Sequence, residues 1–310
     1  MSEFNNVAVI GAGVIGASWA ALFLACGRNV AVHDPSPTME ADVRRYIDNA
    51  WPTLRELGLA NILPGQLSFH DSVASAVGDA DFVQESVPER IAIKHALFAQ
   101  LEAALKPGAI VASSASGLRL GEMQAGWQDP SHFILGHPFN PPHLIPLVEV
   151  MGNERTAPDV VARAERFYQQ VGKVTIRVNR EVPGHVANRL QAALWREAIH
   201  LVSSGVASVE DVDKAVWAGP GLRWAAMGPT MLFHLGGGPQ GLASFCEKYT
   251  ESFHGWWDDL GDPRLDSGTA ARLVEGVLDE AGQDSWAVLA SQRDELITHL
   301  LKATAPFRRR

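Results

Sequence analysis

A glycine-rich turn near the start of the chain constrains the fold more than any other feature. The apolar run Val7–Ile10 leads directly into the segment Gly11–Gly16, and the small apolar residues of Ala17–Ala25 then suit a helix. Glycines in this spacing permit a tight turn between a buried strand and a helix, and they let a ligand approach the backbone at the N-terminus of that helix. The segment therefore predicts the first strand–turn–helix unit of a parallel sheet, whether or not the turn binds a ligand.

The same segment has the length of a membrane span, because no charged residue occurs from Phe4 to Gly27. It contains Asn5, Asn6, four glycines and Ser18, however, and its character changes from β-rich to helix-compatible at the glycine turn. The residues before it carry no basic n-region, so no signal peptide is expected. We expect a buried strand followed by a buried helix, and no membrane association.

An acidic residue ends the second predicted strand. Asp34 lies 23 residues after Gly11, where a carboxylate can accept both hydroxyls of an adenine ribose and would repel a 2′-phosphate. Pro35 follows, and no arginine stands beside it to bind that phosphate. The pattern indicates NAD rather than NADP as the cofactor.

Short apolar runs alternate with amphipathic stretches through the first half of the chain. The predicted strands are Asn6–Ile10, Asn29–His33, Leu67–Phe69, Phe82–Gln84, Ala109–Ala112 and Phe133–Leu135, with Leu147–Met151 and Val174–Val178 as candidate edge strands. This alternation predicts an α/β fold with a Rossmann-type, doubly wound, mostly parallel sheet. From Val182-Pro183-Gly184 onward the pattern is helical, so we expect an NAD-binding domain over residues 1–182 and an all-helical C-terminal domain over residues 183–310.

Composition narrows the class of partner. The 26 basic and 35 acidic side chains give a net charge of −9, which argues against nucleic acid or an anionic membrane as the main partner. Only two cysteines, Cys26 and Cys246, are present. They offer no disulfide framework and predict a cytoplasmic protein.

A histidine in a proline-rich loop is the candidate catalytic base. His137 opens the segment His-Pro-Phe-Asn-Pro-Pro, and Glu149 follows twelve residues later. Histidine has a pKa suited to removing a hydroxyl proton, and a carboxylate on its other nitrogen would fix its tautomer. A purely structural histidine would give the same pattern. His132, His137 and His143 match no common zinc spacing, so no metal site is expected.

Several segments resemble the 3-hydroxyacyl-coenzyme A dehydrogenase superfamily over nearly the full length. They are His137 with Asn140-Pro141 and Leu147-Val148-Glu149, the serine-rich Ala112–Leu118, the acidic Glu85–Glu89 with Lys94, and Val186–Leu190. The resemblance implies a homodimer formed through the helical domain. It assigns His137, Glu149, Ser116 and Asn188 to catalysis. The cofactor-binding residues it implies are Gly11, Gly13, Val14, Ile15, Gly16, Asp34, Glu89, Lys94, Ser116 and Asn140.

Within this superfamily the chain is most similar to a branch that acts on free 3-hydroxy acids, including L-gulonate 3-dehydrogenase (the lambda-crystallin type) and L-carnitine dehydrogenase. The coenzyme A enzymes carry a serine and a lysine on the hairpin after the second strand, and those places fall near Ala50 and Leu57 here. We therefore expect oxidation of a small free 3-hydroxy acid, gulonate-like or carnitine-like, to the 3-oxo acid. A short-chain 3-hydroxyacyl-coenzyme A dehydrogenase and a non-catalytic, crystallin-like protein are the alternatives.

One arginine of the helical domain is the candidate carboxylate ligand. Arg223 lies between Gly221 and Pro229, and its guanidinium could bind the substrate together with Ser116, His137 and Asn188. An ion pair between domains or subunits is the alternative. Trp224, Trp256 and Trp257 could form a cage for a trimethylammonium group, or belong to the core or a subunit interface. Asp258-Asp259 is expected in a solvated loop.

Overall fold

The computed structural model describes residues 4–60 and 63–307. The chain divides into two compact units. The first holds the residues up to Ala187 together with Asp294–Ala303, and the second holds Asn188–Arg293 and the residues from Thr304. The division between residues 182 and 183 stays a prediction.

The first unit contains a mostly parallel sheet with helices on both faces. Its strands are β1 (Asn6–Ile10), β2 (Asn29–His33), β3 (Leu67–Phe69), β4 (Phe82–Glu85), β5 (Ile110–Ser113), β6 (Phe133–Pro138), β7 (Leu147–Met151) and β8 (Val174–Arg177). Its helices are α1 (Val14–Ala25), α2 (Met39–Glu56), α3 (Val73–Val77), α4 (Ile91–Ala104), α5 (Leu120–Gln124) and α6 (Val160–Gln170). The predicted doubly wound fold is confirmed.

The strands follow the order β3-β2-β1-β4-β5-β6-β7-β8, in which the first six are parallel. β7 then runs antiparallel to β6, and β8 runs parallel to β7. The prediction that β7 forms an edge was wrong, because β8 covers it. The reversal matters for the site, since β7 starts at the carboxyl ends of the parallel strands and places Glu149 opposite His137.

Helix α1 explains the uncharged stretch of the sequence. Every residue of this helix from Gly16 to Ala25 is buried, as expected for a helix that is apolar on all sides. Trp19 stacks on Phe23 in the cluster that packs α1, α2 and α6 on one sheet face. A second cluster, which includes Phe98 and Leu101 of α4, covers the other face. No helix of the described chain is long and apolar enough to cross a bilayer.

The remaining helices are α7 (Ala187–Ser203), α8 (Val209–Ala218), α9 (Pro220–Ala226), α10 (Pro229–Gly236), α11 (Gly241–Asp259), α12 (Ser267–Ala281) and α13 (Trp286–Thr304). Helices α9 and α10 are separate, because Gly228-Pro229 starts a new helix. Helix α11 continues to Asp259, so the loop expected at Asp258-Asp259 is the helix end. Ser208 caps α8, since its side chain accepts a hydrogen bond from the amide of Asp211.

Candidate active site

The glycine turn lies between β1 and α1 and combines two close backbone approaches with one open position. Gly11 has φ +89°, and a Cβ there would lie 2.7 Å from the carbonyl carbon of Ser86. A Cβ on Gly16 would lie 1.8 Å from the carbonyl oxygen of Gly11. At Gly13 a Cβ would meet no atom within 4 Å. The N-terminus of α1 is thus open to a phosphate, which its unpaired amides and dipole favour.

Asp34 connects the end of β2 to this turn. Its Oδ2 accepts a hydrogen bond from the amide of Ala12 at 2.8 Å, and its Oδ1 accepts one from the amide of Ser36 at 2.9 Å. A carboxylate has about four acceptor positions, so the half-buried oxygens can still accept ribose hydroxyls. The turn and this carboxylate together fit an adenine dinucleotide without a 2′-phosphate.

The sheet register brings His137 and Glu149 together. They are directly opposite residues of the antiparallel pair β6–β7, so their side chains project from the same face. His137 Nδ1 and Glu149 Oε2 are 2.8 Å apart, and both residues are buried. A carboxylate only accepts, so Nδ1 carries the proton and donates it, which leaves Nε2 with a free lone pair. The pair has the arrangement of a general base with its orienting acid.

Glu149 also binds the chain that leads into α7. Its Oε1 accepts hydrogen bonds from the amides of Val186 at 2.9 Å and Ala187 at 3.0 Å. Burial raises the pKa of Glu149, but the hydrogen bonds from His137, Ala187 and Val186 outweigh it and hold the pKa below its ordinary value. One ionised carboxylate therefore fixes both the His137 imidazole and the backbone at the start of α7.

Glu89 organises the turn that carries Ser116. Its Oε1 accepts the amides of Ser116 and Gly117, the latter at 2.9 Å. Burial raises the pKa of Glu89, whereas these amides lower it, and the net pKa is below the ordinary value. Ser116 follows β5 at the same sheet edge as His137, because both come at the carboxyl ends of parallel strands.

Lys94 is enclosed by protein groups. Its Nζ donates to both oxygens of Glu85, at 2.6 and 2.8 Å, and both side chains are fully buried. Glu85 Oε1 also accepts the amide of Val87, and Glu85 Oε2 accepts the Ser113 hydroxyl. This network holds the backbone after β4, which packs against Gly11. Lys94 thus supports the glycine turn and does not extend a free ammonium toward it.

The loop between β6 and β7 is bound by α1 and by the segment that precedes β8. The amide of His143 donates to the Ser18 hydroxyl of α1 at 2.8 Å. Lys173 Nζ donates to the carbonyl oxygens of Pro142 and Ile145, the latter at 2.8 Å, and lies 4.8 Å from the centre of the Trp19 ring. Asn140, at the start of the loop, is exposed. These contacts fix the loop that joins His137 to Glu149.

Asn188 and Arg223 belong to the second unit. Asn188 is half-buried in the first turn of α7, and Arg223 is exposed on α9. In the described part of the helical unit the guanidinium of Arg223 makes no ion pair. Trp256 and Trp257 of α11 contact the Phe253 ring, and Trp257 helps to line an apolar cavity of about 250 Å³. The roles of Arg223 and the tryptophans in substrate binding stay predictions.

The sequence analysis missed two buried residues near the site, Lys173 and His185, and it gave Glu85 no role of its own. His185 is the most notable, because its ring centre lies 5.3 Å from that of His137. The only sequence signal for it was an imidazole within the break at Pro183-Gly184, two residues before α7. Over residues 4–60 and 63–307, no cluster of three or more histidine, cysteine or acidic side chains is arranged to hold a metal ion.

Family comparisons agree with this geometry. Residues 6–182 match the NAD-binding domain of 3-hydroxyacyl-CoA dehydrogenase, and residues 184–268 match its C-terminal domain. The chain belongs to the 3-hydroxyacyl-CoA dehydrogenase family. It is an NAD-dependent dehydrogenase that oxidises a 3-hydroxy acid, as the sequence predicted.

Individual relatives extend over almost the whole chain. An L-carnitine dehydrogenase of Streptomyces coelicolor is 48% identical over 301 residues, which cover 97% of this chain and 95% of the relative. An L-carnitine dehydrogenase of Pseudomonas aeruginosa is 43% identical over 98% of this chain and 95% of its own length. The crystal structure of 5-formyl-3-hydroxy-2-methylpyridine 4-carboxylic acid 5-dehydrogenase superimposes with a TM-score of 0.83 at 29% identity, covering 97% and 98% of the two chains.

Proposed function

We propose that this enzyme oxidises the 3-hydroxyl of L-carnitine, a free 3-hydroxy acid, to the 3-oxo acid with NAD. The observation that carries the reaction is the buried His137–Glu149 pair at 2.8 Å, at the sheet edge that also holds the glycine turn. The choice of substrate is supported by the relatives named L-carnitine dehydrogenase, at 48% and 43% identity over nearly the full length. A small free acid also accords with Ala50, which is buried in the core and offers no group to a coenzyme A chain.

In this proposal His137 is the general base. Its Nε2 accepts the proton of the substrate hydroxyl, since Nδ1 is committed to Glu149. Glu149 remains ionised and stabilises the imidazolium that forms, because its own pKa is held low. Ser116 and Asn188 hold the substrate oxygens, and Arg223 binds the carboxylate.

The cofactor residues act by position and charge. Gly11, Gly13, Val14, Ile15 and Gly16 present the helix N-terminus to the diphosphate, and Asp34 accepts the ribose hydroxyls. Glu89, Ser116 and Asn140 would hold the part of the cofactor nearer the reacting carbon. Lys94 would act only indirectly, because its ammonium is bound to Glu85 and buried. NAD, when bound, supplies the acceptor for the hydride that leaves C3.

The direct test is an activity screen with purified enzyme and NAD, followed by NADH absorbance. L-carnitine should give a higher kcat/KM than L-gulonate, 3-hydroxybutyrate or 3-hydroxybutyryl-coenzyme A. His137→Ala should lower kcat by about 10²–10⁴-fold, the usual contribution of a positioned base. His132→Ala is the matched control, because His132 lies at the opposite end of β6. Preference for the coenzyme A ester would contradict the proposal.

The role of Arg223 has its own test. Arg223→Met should raise the KM for the acid by about 30-fold or more, because a buried carboxylate would lose its cationic partner. NAD affinity and the melting temperature should not change. Arg264→Met is the control, since Arg264 is exposed and pairs only with Asp262 in the described structure. If Arg223→Met unfolds the protein and leaves KM unchanged, Arg223 has a structural role.

We also propose a homodimer formed through the helical unit, and a cytoplasmic location, which two free cysteines suit. Support for the dimer comes from large apolar side chains exposed on helices of this unit, a feature typical of interaction surfaces. They include Leu190, Leu194, Trp195, Trp217, Met231, Leu235, Val274 and Leu278. Light scattering after gel filtration should give twice the chain mass, and a monomeric mass would contradict the proposal.

A further inference from the structure

His185 lies beside the catalytic base in an unusual backbone conformation. It follows Pro183-Gly184 and has φ +51°, in the left-handed region that few non-glycine residues adopt. The side chain is 3% exposed, and its ring centre lies 5.3 Å from the His137 ring at an interplanar angle of 53°. The next two amides bind Glu149, so the strained residue belongs to the turn that holds the catalytic pair.

The imidazole of His185 lacks hydrogen-bond partners. Both ring nitrogens are buried, and neither forms a hydrogen bond with any described residue. The carbonyl of Ala115 faces the ring closely enough to affect its pKa but does not complete a hydrogen bond. Buried polar atoms without partners cost free energy, so proteins rarely retain them unless a ligand or water supplies the missing contact. A strained backbone and two unpaired nitrogens beside the base therefore point to a ligand.

The ligand group can be identified from the position of His137. His137 Nε2 is assigned to the substrate hydroxyl, so a second ring in contact with His137 faces the next polar group of the substrate. In a 3-hydroxy acid that group is the carboxylate, whose carbon lies two carbons from C3. The two rings are buried to a similar extent, since His137 is 5% exposed.

We propose that His185 is a specificity-determining residue whose ring N–H donates a hydrogen bond to the substrate carboxylate. This inference rests on the proposed oxidation of a free 3-hydroxy acid. Burial and the neighbouring His137 lower the pKa of His185, whereas Glu149, Ala115 and Glu89 raise it, and the net pKa is below the ordinary value. A neutral ring can donate one N–H without repelling the His137 imidazolium.

Two variants test the proposal. His185→Phe removes both nitrogens and keeps an aromatic ring, and His185→Gly removes the ring while tolerating the positive φ. Each should raise the KM for L-carnitine by about 10- to 150-fold, the effect of losing a hydrogen bond to a charged group. NAD affinity should not change. If His185→Phe fails to fold, the KM of His185→Gly alone tests the proposal. His132→Gly is then the control for replacing a histidine by glycine.

The deciding measurement does not need turnover. The deoxy acid 4-(trimethylammonio)butanoate keeps the carboxylate and lacks the hydroxyl, and its affinity can be measured by calorimetry with NADH present. His185→Gly should weaken its binding by the same factor as the KM. Unchanged binding, or a change only in the pH profile of kcat, would overturn the proposal. If the wild-type enzyme prefers another 3-hydroxy acid, the proposed substrate fails, and the deoxy form of that acid tests His185 separately.

Discussion

Replacing Glu149 by glutamine separates the charge of this residue from its shape. The glutamine oxygen would remain with the amides of Val186 and Ala187, because those groups only donate. Its NH₂ group would then face His137 Nδ1, which must become an acceptor. His137 would carry its proton on Nε2, where the substrate hydroxyl must be deprotonated.

The size of the effect follows from these contacts. A base held in the wrong tautomer loses about 10⁴-fold in kcat in a serine protease, so we expect a fall of about 10³–10⁴-fold here. The three hydrogen bonds that the Glu149 carboxylate accepts would also become hydrogen bonds between neutral groups. Each such change costs about 1 kcal/mol, and relief from burying a charge offsets part of it, so the free energy of unfolding should fall by about 1–3 kcal/mol.

The assay combines steady-state kinetics with urea unfolding, and Glu165→Gln is the control because its carboxylate pairs only with Arg177 in the described structure. NAD affinity should be unchanged. The native pKa of Glu149 lies below its ordinary value, so its contribution to stability is complete at neutral pH and disappears as the pH falls through the native pKa. The stability difference between wild type and Glu149→Gln should shrink accordingly. A variant with near-normal kcat would refute the tautomer argument.

Three further substitutions test the cofactor turn and the buried cations. Asp34→Ala should narrow the preference for NAD over NADP, measured as a ratio of kcat/KM values, because the repelling carboxylate is gone; a wild type without preference would contradict this. Lys94→Met should cost about 3–5 kcal/mol in urea unfolding, since it leaves Glu85 buried without its partner, and adding Glu85→Gln should restore part of that loss. Burial lowers the pKa of Lys173 to about 7, so the unfolded chain binds more protons between that pH and about 10.5. The free energy of unfolding of the wild type should therefore rise with pH across this window. If the Lys173 amine causes this pH dependence, Lys173→Met should abolish it.

The sequence predicted the sheet and supplied most of the candidate site residues because those signals are local. The glycine turn, Asp34 after its strand, and the alternation of strands and helices each occupy a short stretch. The position of β7 was not predictable in this way, because a strand's neighbours and direction depend on the whole sheet. Its antiparallel register is nevertheless what pairs Glu149 with His137.

Buried polar groups were the other kind of feature that the sequence did not reveal. Lys173 is held by carbonyls about thirty residues away and by Trp19, and nothing in its local sequence indicates burial. His185 is notable only because it contacts the His137 ring, and His137 lies 48 positions earlier in the chain. Such contacts arise from tertiary packing, so composition and spacing contain no trace of them.

The three glycines of the turn also differ in which substitutions they would tolerate. Gly11 and Gly16 are locked by neighbouring backbone, so a side chain at either position is a folding defect. Gly13 has free space around it, and we propose that the diphosphate of the cofactor binds there. A larger residue at position 13 would therefore block NAD binding without disturbing the fold. Such a variant would serve as a cofactor-free reference, against which the contribution of NAD to the free energy of unfolding can be measured.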